Sequence, residues 1–295
     1  MNDVEFYLED LKSKFAKINP KEYYLAYSGG KDSHFLYWFI KEYLHDTDIE
    51  IVAVNTRLEF PEISARMYKY ADKVLLPKLK PHEVIEKYGT PMFSKNSDDI
   101  ISRYQNGSRT EATMNYINKT KNGGFTMFGL NKTARELLLA DKLPKISAKC
   151  CLYMKKKPFK DYEKESGRKA IMGIMSSESM MRKAQYKTCF TKQGKFTPIH
   201  DMTEELMNKI YKKYNIELPK IYDYINQTGC AGCPYGLGLH HTETELQLMT
   251  PAKRRYVISL FGEAYKIRGL DVNQTCIWDF LEENLNETKT KRHSN

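Results

Sequence analysis

No apolar run in this chain of 295 residues approaches the roughly 18 consecutive residues that a membrane-spanning helix needs, so no membrane partner is expected. The opening MNDVEFYLEDLKSKF is too acidic and too amphipathic for a signal or transit peptide. The expected location is therefore the cytoplasm. Cysteine is scarce, with six residues in the whole chain; in a reducing compartment they argue against a disulfide framework and for thiols kept for metal or catalysis. The glycine turn SGGKDS at 28–33 lacks the four residues between its glycines that a Walker loop needs. Acidic residues number 37 against 47 Lys and Arg, a net charge of +10. Such a surplus is compatible with nucleotide, phosphate or nucleic-acid partners. Apart from MKKKPFK at 154–160 and the tail TKTKRHSN the lysines are scattered, which is equally the pattern of a solvated surface.

What is present is an alternation of elements. Val4, Leu8, Leu11, Phe15 and Ile18 mark one face of an opening helix. EYYLAY (22–27) reads as a buried strand, SHFLYWFIKEYL (33–44) as a helix, IEIVAVN (49–55) as a strand, PEISARMYKYAD (61–72) as a helix begun by proline, and KVLLP (73–77) as a strand. The middle, 82–145, is helical pattern broken by NGS and NGG turns, without a repeat, and LNKTARELLLADKL (130–143) is its clearest helix. RKAIMGIM (168–175) returns as a strand whose apolar run suits a central place in a parallel sheet. Amphipathic helices are expected at 202–216 and 251–269. Strands alternating with helices predict an α/β fold with a layered, Rossmann-like parallel sheet, followed by a cysteine-bearing C-terminal helical portion. The expected organisation is an N-terminal helix (1–20), a nucleotide-binding domain (21–236), a helical extension (237–286) and a disordered basic tail (287–295).

The first strand runs into SGGKDS, Ser28 to Ser33, and straight into a helix. Free backbone N–H groups at a helix N-terminus form an anion site, and glycines let the backbone curl round a phosphate without Cβ clashes. Gly29 and Gly30 supply the curl, Ser28 and Ser33 hydroxyls, Lys31 a mobile positive charge, and Asp32 a helix cap or a magnesium contact. An ordinary capped βα turn has no use for so many donors.

This hexapeptide resembles the pyrophosphate loop of the ATP pyrophosphatase (adenine nucleotide alpha-hydrolase) superfamily, and in particular of the PAPS reductase and ATP sulfurylase small-subunit family. VNTRLEFPEI (54–63) is similar to the family's segment after the second strand, with Arg57 standing where glycine is usual. The resemblance implies adenosine contacts at Asn55, Thr56 and Glu62. IMGIMSSESMMRKAQY (171–186) is similar to its Gly-containing Glu-Ser-x-x-Arg stretch: Gly173, Glu178, Ser179 and Arg182 match, while Met175 replaces an arginine. Arg182 would clamp phosphate or sulfate with its planar fork. FTPIHDMTEELMNKIYKKYNIELPKIYDYINQTGCAGC (196–233) resembles the segment leading to the family's cysteine pair, so the likeness covers most of 22–236.

Cys150 and Cys151 are adjacent, and Cys230 and Cys233 form a CxxC in a glycine turn. Two such pairs offer the four thiolates of a 4Fe-4S cluster or a structural zinc. The layout resembles cluster-bearing APS reductases, which favours iron-sulfur; Cys189 is the alternative ligand in a set with Cys151, Cys230 and Cys233. Cys276, among apolar residues, reads as core. Nothing in 234–295 matches the reductases' C-terminal nucleophile motif. The combined expectation is an ATP-dependent sulfur-chemistry enzyme: Mg²⁺-bound ATP is cleaved to AMP and pyrophosphate to activate an acceptor, tRNA or DNA, for sulfur transfer. Lys31, Asp32 and Arg182 are its expected catalytic residues. The alternatives are a sulfonucleotide (APS/PAPS) reductase and a non-catalytic nucleotide- and cluster-binding accessory protein.

Overall fold

The computed structural model describes residues 3–178, 180–237 and 241–272, with side-chain environments for all of these but 178, 180, 181 and 241. The chain forms two compact units, each built from two stretches: residues 1–78 with 155–229, and residues 79–154 with 230–295. The stretch 21–236 expected as one nucleotide-binding domain contributes to both.

The first unit is an α/β sandwich around a four-stranded, wholly parallel sheet. Its strands are β1 (Tyr23–Tyr27), β2 (Glu50–Val54), β3 (Lys73–Leu75) and a fourth, Lys169–Ile171, in the order β3, β2, β1, fourth strand. Leu25 stands opposite Ile51 on one side and Ile171 on the other. Strands covered on both faces read as continuous apolar runs, and that is why EYYLAY and IEIVAVN show no alternation. Side chains nevertheless point alternately to the two layers. On one face Tyr24, Val52 and Ala170 pack with Tyr162 and Phe159 of the helix Lys157–Ser166. On the other, Tyr23 meets Phe196, which also packs edge-on against Phe15 of α1 (Asp3–Phe15). The tyrosine hydroxyls reach polar partners at the rim: Tyr24 donates to Glu163 at 3.0 Å and Tyr162 to Glu50 at 2.6 Å.

Two expectations about elements are corrected. The helix after the loop is α2 (Lys31–Trp38), which loosens into a π turn over Phe39–Tyr43 instead of running on as a regular α-helix. The fourth strand stands at the end of the strand order and is not central. Its outer edge is still covered, because the Phe196 N–H donates to the Ala170 carbonyl and the Met172 N–H to the Phe196 carbonyl. That cover explains why its sequence looks interior.

The second unit is mainly helical. Helices Lys95–Gln105, Glu111–Asn118 and Lys132–Leu139 each begin at a side-chain cap, with Ser94, Thr110 and Asn131 accepting an N–H of the first turn. The NGG turn closes a two-stranded hairpin, Thr120–Lys121 against Gly124–Phe125. Met92, Ile101, Ile117, Leu130, Leu138 and Ile146 form the core, joined by Ala264 from the helix Pro251–Ile267. Cys276, the end of the expected extension and the expected disordered tail lie outside the described residues. Among the described residues no helix is long and apolar enough to cross a membrane.

Candidate functional site

β1 ends at Tyr27, and the next residues change direction within one turn. Gly29 has φ +74°, in the left-handed region, and a Cβ there would lie 2.8 Å from the Ile63 carbonyl oxygen. Gly30 is the N-cap of α2. The two serines hold the turn's shape: Ser28 and Ser33 share a hydrogen bond of 2.9 Å, the Ser28 N–H donates to Ser33 Oγ at 3.1 Å, and Ser33 Oγ donates to the Gly30 carbonyl at 3.1 Å. Ser33 is buried. These hydroxyls, expected as phosphate donors, thus also fasten the loop to itself.

Around the loop lies a cavity of about 270 Å³ lined by Ser28, Gly30, Lys31, Asp32, Ser33, Gly173, Met175, Arg182, Glu204, Tyr222 and Thr228, among others. Sequence reasoning placed Gly173, Arg182 and the loop residues at one site, and the structure brings them together there. Gly173 has a steric reason: its Cβ would stand 3.0 Å from the Asp32 carbonyl carbon and 3.1 Å from the Ser33 nitrogen. Met175, at the motif's arginine position, is buried on the cavity wall. The side chain of Glu178 and the whole of Ser179 lie outside the described residues.

Three contacts on Lys31 come from the far end of the same unit. Glu204 pairs with its ammonium at 2.9 Å, the Tyr222 hydroxyl accepts its N–H at 2.7 Å, and the Tyr211 hydroxyl donates to its carbonyl at 2.7 Å. Tyr222 also exchanges a hydrogen bond of 2.9 Å with Thr228. Burial raises the pKa of Tyr222 and of Tyr211, so both remain neutral hydroxyls. None of Glu204, Tyr211 and Tyr222 was singled out from the sequence. Behind the loop the buried His34 ring meets the Tyr27 hydroxyl at 3.0 Å. Burial, then the positive charges of Arg66 and Lys69, lower its pKa to about 3.

Asn55, Thr56 and Glu62, expected on the adenosine, are engaged with the chain itself. Asn55 donates to Ser64 and Tyr68 at 3.1 and 3.2 Å and accepts the Arg57 N–H at 2.7 Å. Thr56 is fully buried and donates to Glu59 at 2.7 Å, and Glu59 accepts the Thr56 N–H as well. Glu62 accepts the Ile221 N–H at 3.2 Å, which fixes the turn that carries Tyr222. Arg57 adopts φ +68°, a left-handed turn position where glycine is the usual occupant. A smaller cavity of about 70 Å³, bordered by Ala26, Val54, Glu59, Ile63, Phe159 and Thr228, opens at the ends of β1 and β2.

The two cysteine pairs belong to the second unit. Cys150 is buried with Val84 and Met154, while Cys151, Cys230 and Cys233 are half-buried. The CxxC turn is tightly made. The Cys233 N–H donates to the Cys230 carbonyl at 3.1 Å, Glu245 accepts the Gly232 N–H at 2.8 Å, Tyr265 donates to the Gly232 carbonyl, and Thr242 donates to the Cys233 carbonyl at 2.8 Å. The buried Tyr235 hydroxyl faces Asp98 without a well-directed hydrogen bond. Its pKa is raised by burial first, then by Asp98, then by Cys151 and Cys233. Among the described residues, however, no three His, Cys, Asp or Glu side chains converge closely enough to hold a metal ion, and no disulfide forms. Cys189 lies in the first unit, where burial raises its pKa near Lys14 and Asp201.

No known protein-family profile matches the chain, and no curated protein matches it in sequence. Among solved structures it is similar to the NH3-dependent NAD synthetase of Campylobacter jejuni in complex with nitrate, at 14% identity and a TM-score of 0.36, covering 89% of this chain and 94% of that one. It is also similar to a U34-tRNA thiolase of Methanococcus maripaludis with its 4Fe-4S cluster, at 13% identity and a TM-score of 0.39, covering 92% of this chain and 82% of that one.

Proposed function

We propose that this protein is an ATP-using enzyme of the pyrophosphate-loop type that activates an acceptor for sulfur transfer. The observation that carries the reading is the Ser28–Ser33 turn: a glycine curl at the N-terminus of a buried helix, opening on a cavity walled by Lys31, Arg182 and Gly173. Backbone N–H groups and the helix dipole favour a polyphosphate there, and Lys31 reaches it by leaving Glu204. The slot between the ends of β1 and β2 shares Ser28 and Thr228 with this cavity and offers the base an apolar seat.

The chemistry is a displacement at the α-phosphorus. An acceptor oxygen bonds to that phosphorus, the bond to the bridging oxygen breaks, and pyrophosphate leaves with the electron pair. The acceptor is then an adenylate, and sulfide attacking the acceptor atom that bears the activated oxygen (carbon in a base, phosphorus in a backbone phosphate) expels AMP. Lys31, Arg182 and the loop amides stabilise the charge that grows on the phosphate oxygens, and Asp32 would be the carboxylate that holds Mg²⁺. The donor set Cys150, Cys151, Cys230 and Cys233 would fit iron-sulfur ligation in kind, as four thiols in one unit. A 4Fe-4S cluster held by these residues would supply exchangeable sulfide. The acceptor is a nucleic acid, tRNA or DNA, to which a chain of net charge +10 is attracted.

The test is pyrophosphate release from ATP, with and without bulk tRNA or DNA. Release that depends on one nucleic acid and disappears in Lys31→Ala supports the reading. ATP bound without any pyrophosphate formed, with every acceptor tried, rejects it in favour of a binding protein.

A further inference from the structure

The N-terminus of α2 is already occupied from within. Lys31 is the first residue of the helix, so its N–H has no intrahelical acceptor and points toward the site of an incoming anion. The Tyr222 hydroxyl oxygen accepts that N–H at 2.7 Å and shares a hydrogen bond of 2.9 Å with Thr228 Oγ1. The same two hydroxyls fill the space that Gly30 leaves open. A Cβ on Gly30 would lie 3.0 Å from Thr228 Oγ1 and 3.1 Å from the Tyr222 oxygen.

Resting on the reading of the loop as a polyphosphate site, we propose that Tyr222 sets the loop's affinity for phosphate by holding the position a phosphate oxygen takes on the Lys31 N–H. The tyrosine is well placed for this part. It sits in a one-turn helix, Lys220–Asp223, whose Ile221 N–H is tied to Glu62, so the ring is presented by a fixed backbone and only the hydroxyl contacts must be exchanged. An entering phosphate replaces one hydrogen bond to a neutral hydroxyl with a stronger one to an anion. Until it does, the fraction of molecules with Tyr222 in place lowers the apparent affinity by that fraction. The penalty falls on every ligand that needs the Lys31 N–H and spares any ligand that does not. Pyrophosphate and ATP therefore share it by one common factor, and adenosine escapes it.

The experiment is calorimetric titration of pyrophosphate, ATP and adenosine into the full chain and into Tyr222→Phe, with melting curves to check folding. Loss of one internal hydrogen bond predicts that pyrophosphate and ATP both tighten about two- to tenfold, while adenosine is unchanged. Thr228→Val, which removes the hydroxyl's second partner, should move both in the same direction and carries the test if Tyr222→Phe does not fold. Phosphate ligands that bind the wild type but no more tightly to the variants overturn the role of Tyr222 and leave the ATP site standing. Weaker binding in the variants does the same, by making Tyr222 a contact to phosphate. Equal tightening of adenosine places the effect outside the loop and also overturns it. Wild type and variants that all fail to bind pyrophosphate and ATP remove the ATP reading and this proposal together.

Discussion

Gly30 faces three hydroxyl groups at close range. Its Cβ would meet Thr228 Oγ1 at 3.0 Å, the Tyr222 oxygen at 3.1 Å and Ser28 Oγ at 3.4 Å, and a branched side chain would extend further into the same space. Gly30→Val is expected to keep the fold, as followed by circular dichroism, and to bring ATP affinity below detection. A folded variant with unchanged affinity would show that phosphate is bound elsewhere. His34 gives a second prediction, through pH. Its folded pKa of about 3 lies below the ordinary 6.5, so between these values the unfolded chain binds more protons and stability falls as pH falls. The slope from this one group is at most about 1.4 kcal/mol per pH unit, and it vanishes above the unfolded pKa. Urea midpoints measured at pH 7.5 and 5.5 should differ less in His34→Gln than in the wild type. Ser28, Gly30, Lys31 and Gly173 were legible because their chemistry is local to short stretches. Tyr222 and Glu204 were not, since they reach Lys31 across 191 and 173 residues, a distance over which no spacing rule operates.

The turn bearing Cys230 and Cys233 shows how one backbone position governs a whole element. Gly232 has φ +69°, and a Cβ there would lie 2.3 Å from Val257 Cγ1 and 2.9 Å from the Tyr265 hydroxyl. Left-handed strain and overpacking together predict that Gly232→Ala costs about 2 kcal/mol or more. A melting curve measures the loss, and faster reaction of the thiols with a disulfide reagent should accompany it. An unaltered melting temperature would mean that the turn relaxes freely. Among the regular elements, β1, β2 and α3 (Pro61–Tyr70) fall within the expected stretches, because buried apolar runs and a proline start are strong local signals. The rank of the fourth strand was illegible for a physical reason. An edge covered by the Phe196 backbone buries its side chains as an interior strand does, and the sequence records burial but not the identity of the neighbour.

Two interleaved units bear on the proposed cluster. The chain passes between them after residues 78, 154 and 229, so Cys150 and Cys151 stand near the end of one stretch of the second unit, and Cys230 and Cys233 open the next. Residues distant in sequence are thereby brought into one unit. Cys189 belongs to the other unit, where its carbonyl accepts the Thr197 N–H at 2.7 Å and burial keeps its thiol protonated. Cys189 thus shares no unit with the other four candidate ligands. Protein prepared without oxygen is therefore expected to carry about four irons per chain, as a cubane cluster requires. Iron and the visible absorption should be lost in Cys151→Ser and Cys233→Ser, and retained in Cys189→Ser. Retention in Cys150→Ser combined with loss in Cys189→Ser would select the alternative ligand set, and one zinc in place of iron would make the centre structural.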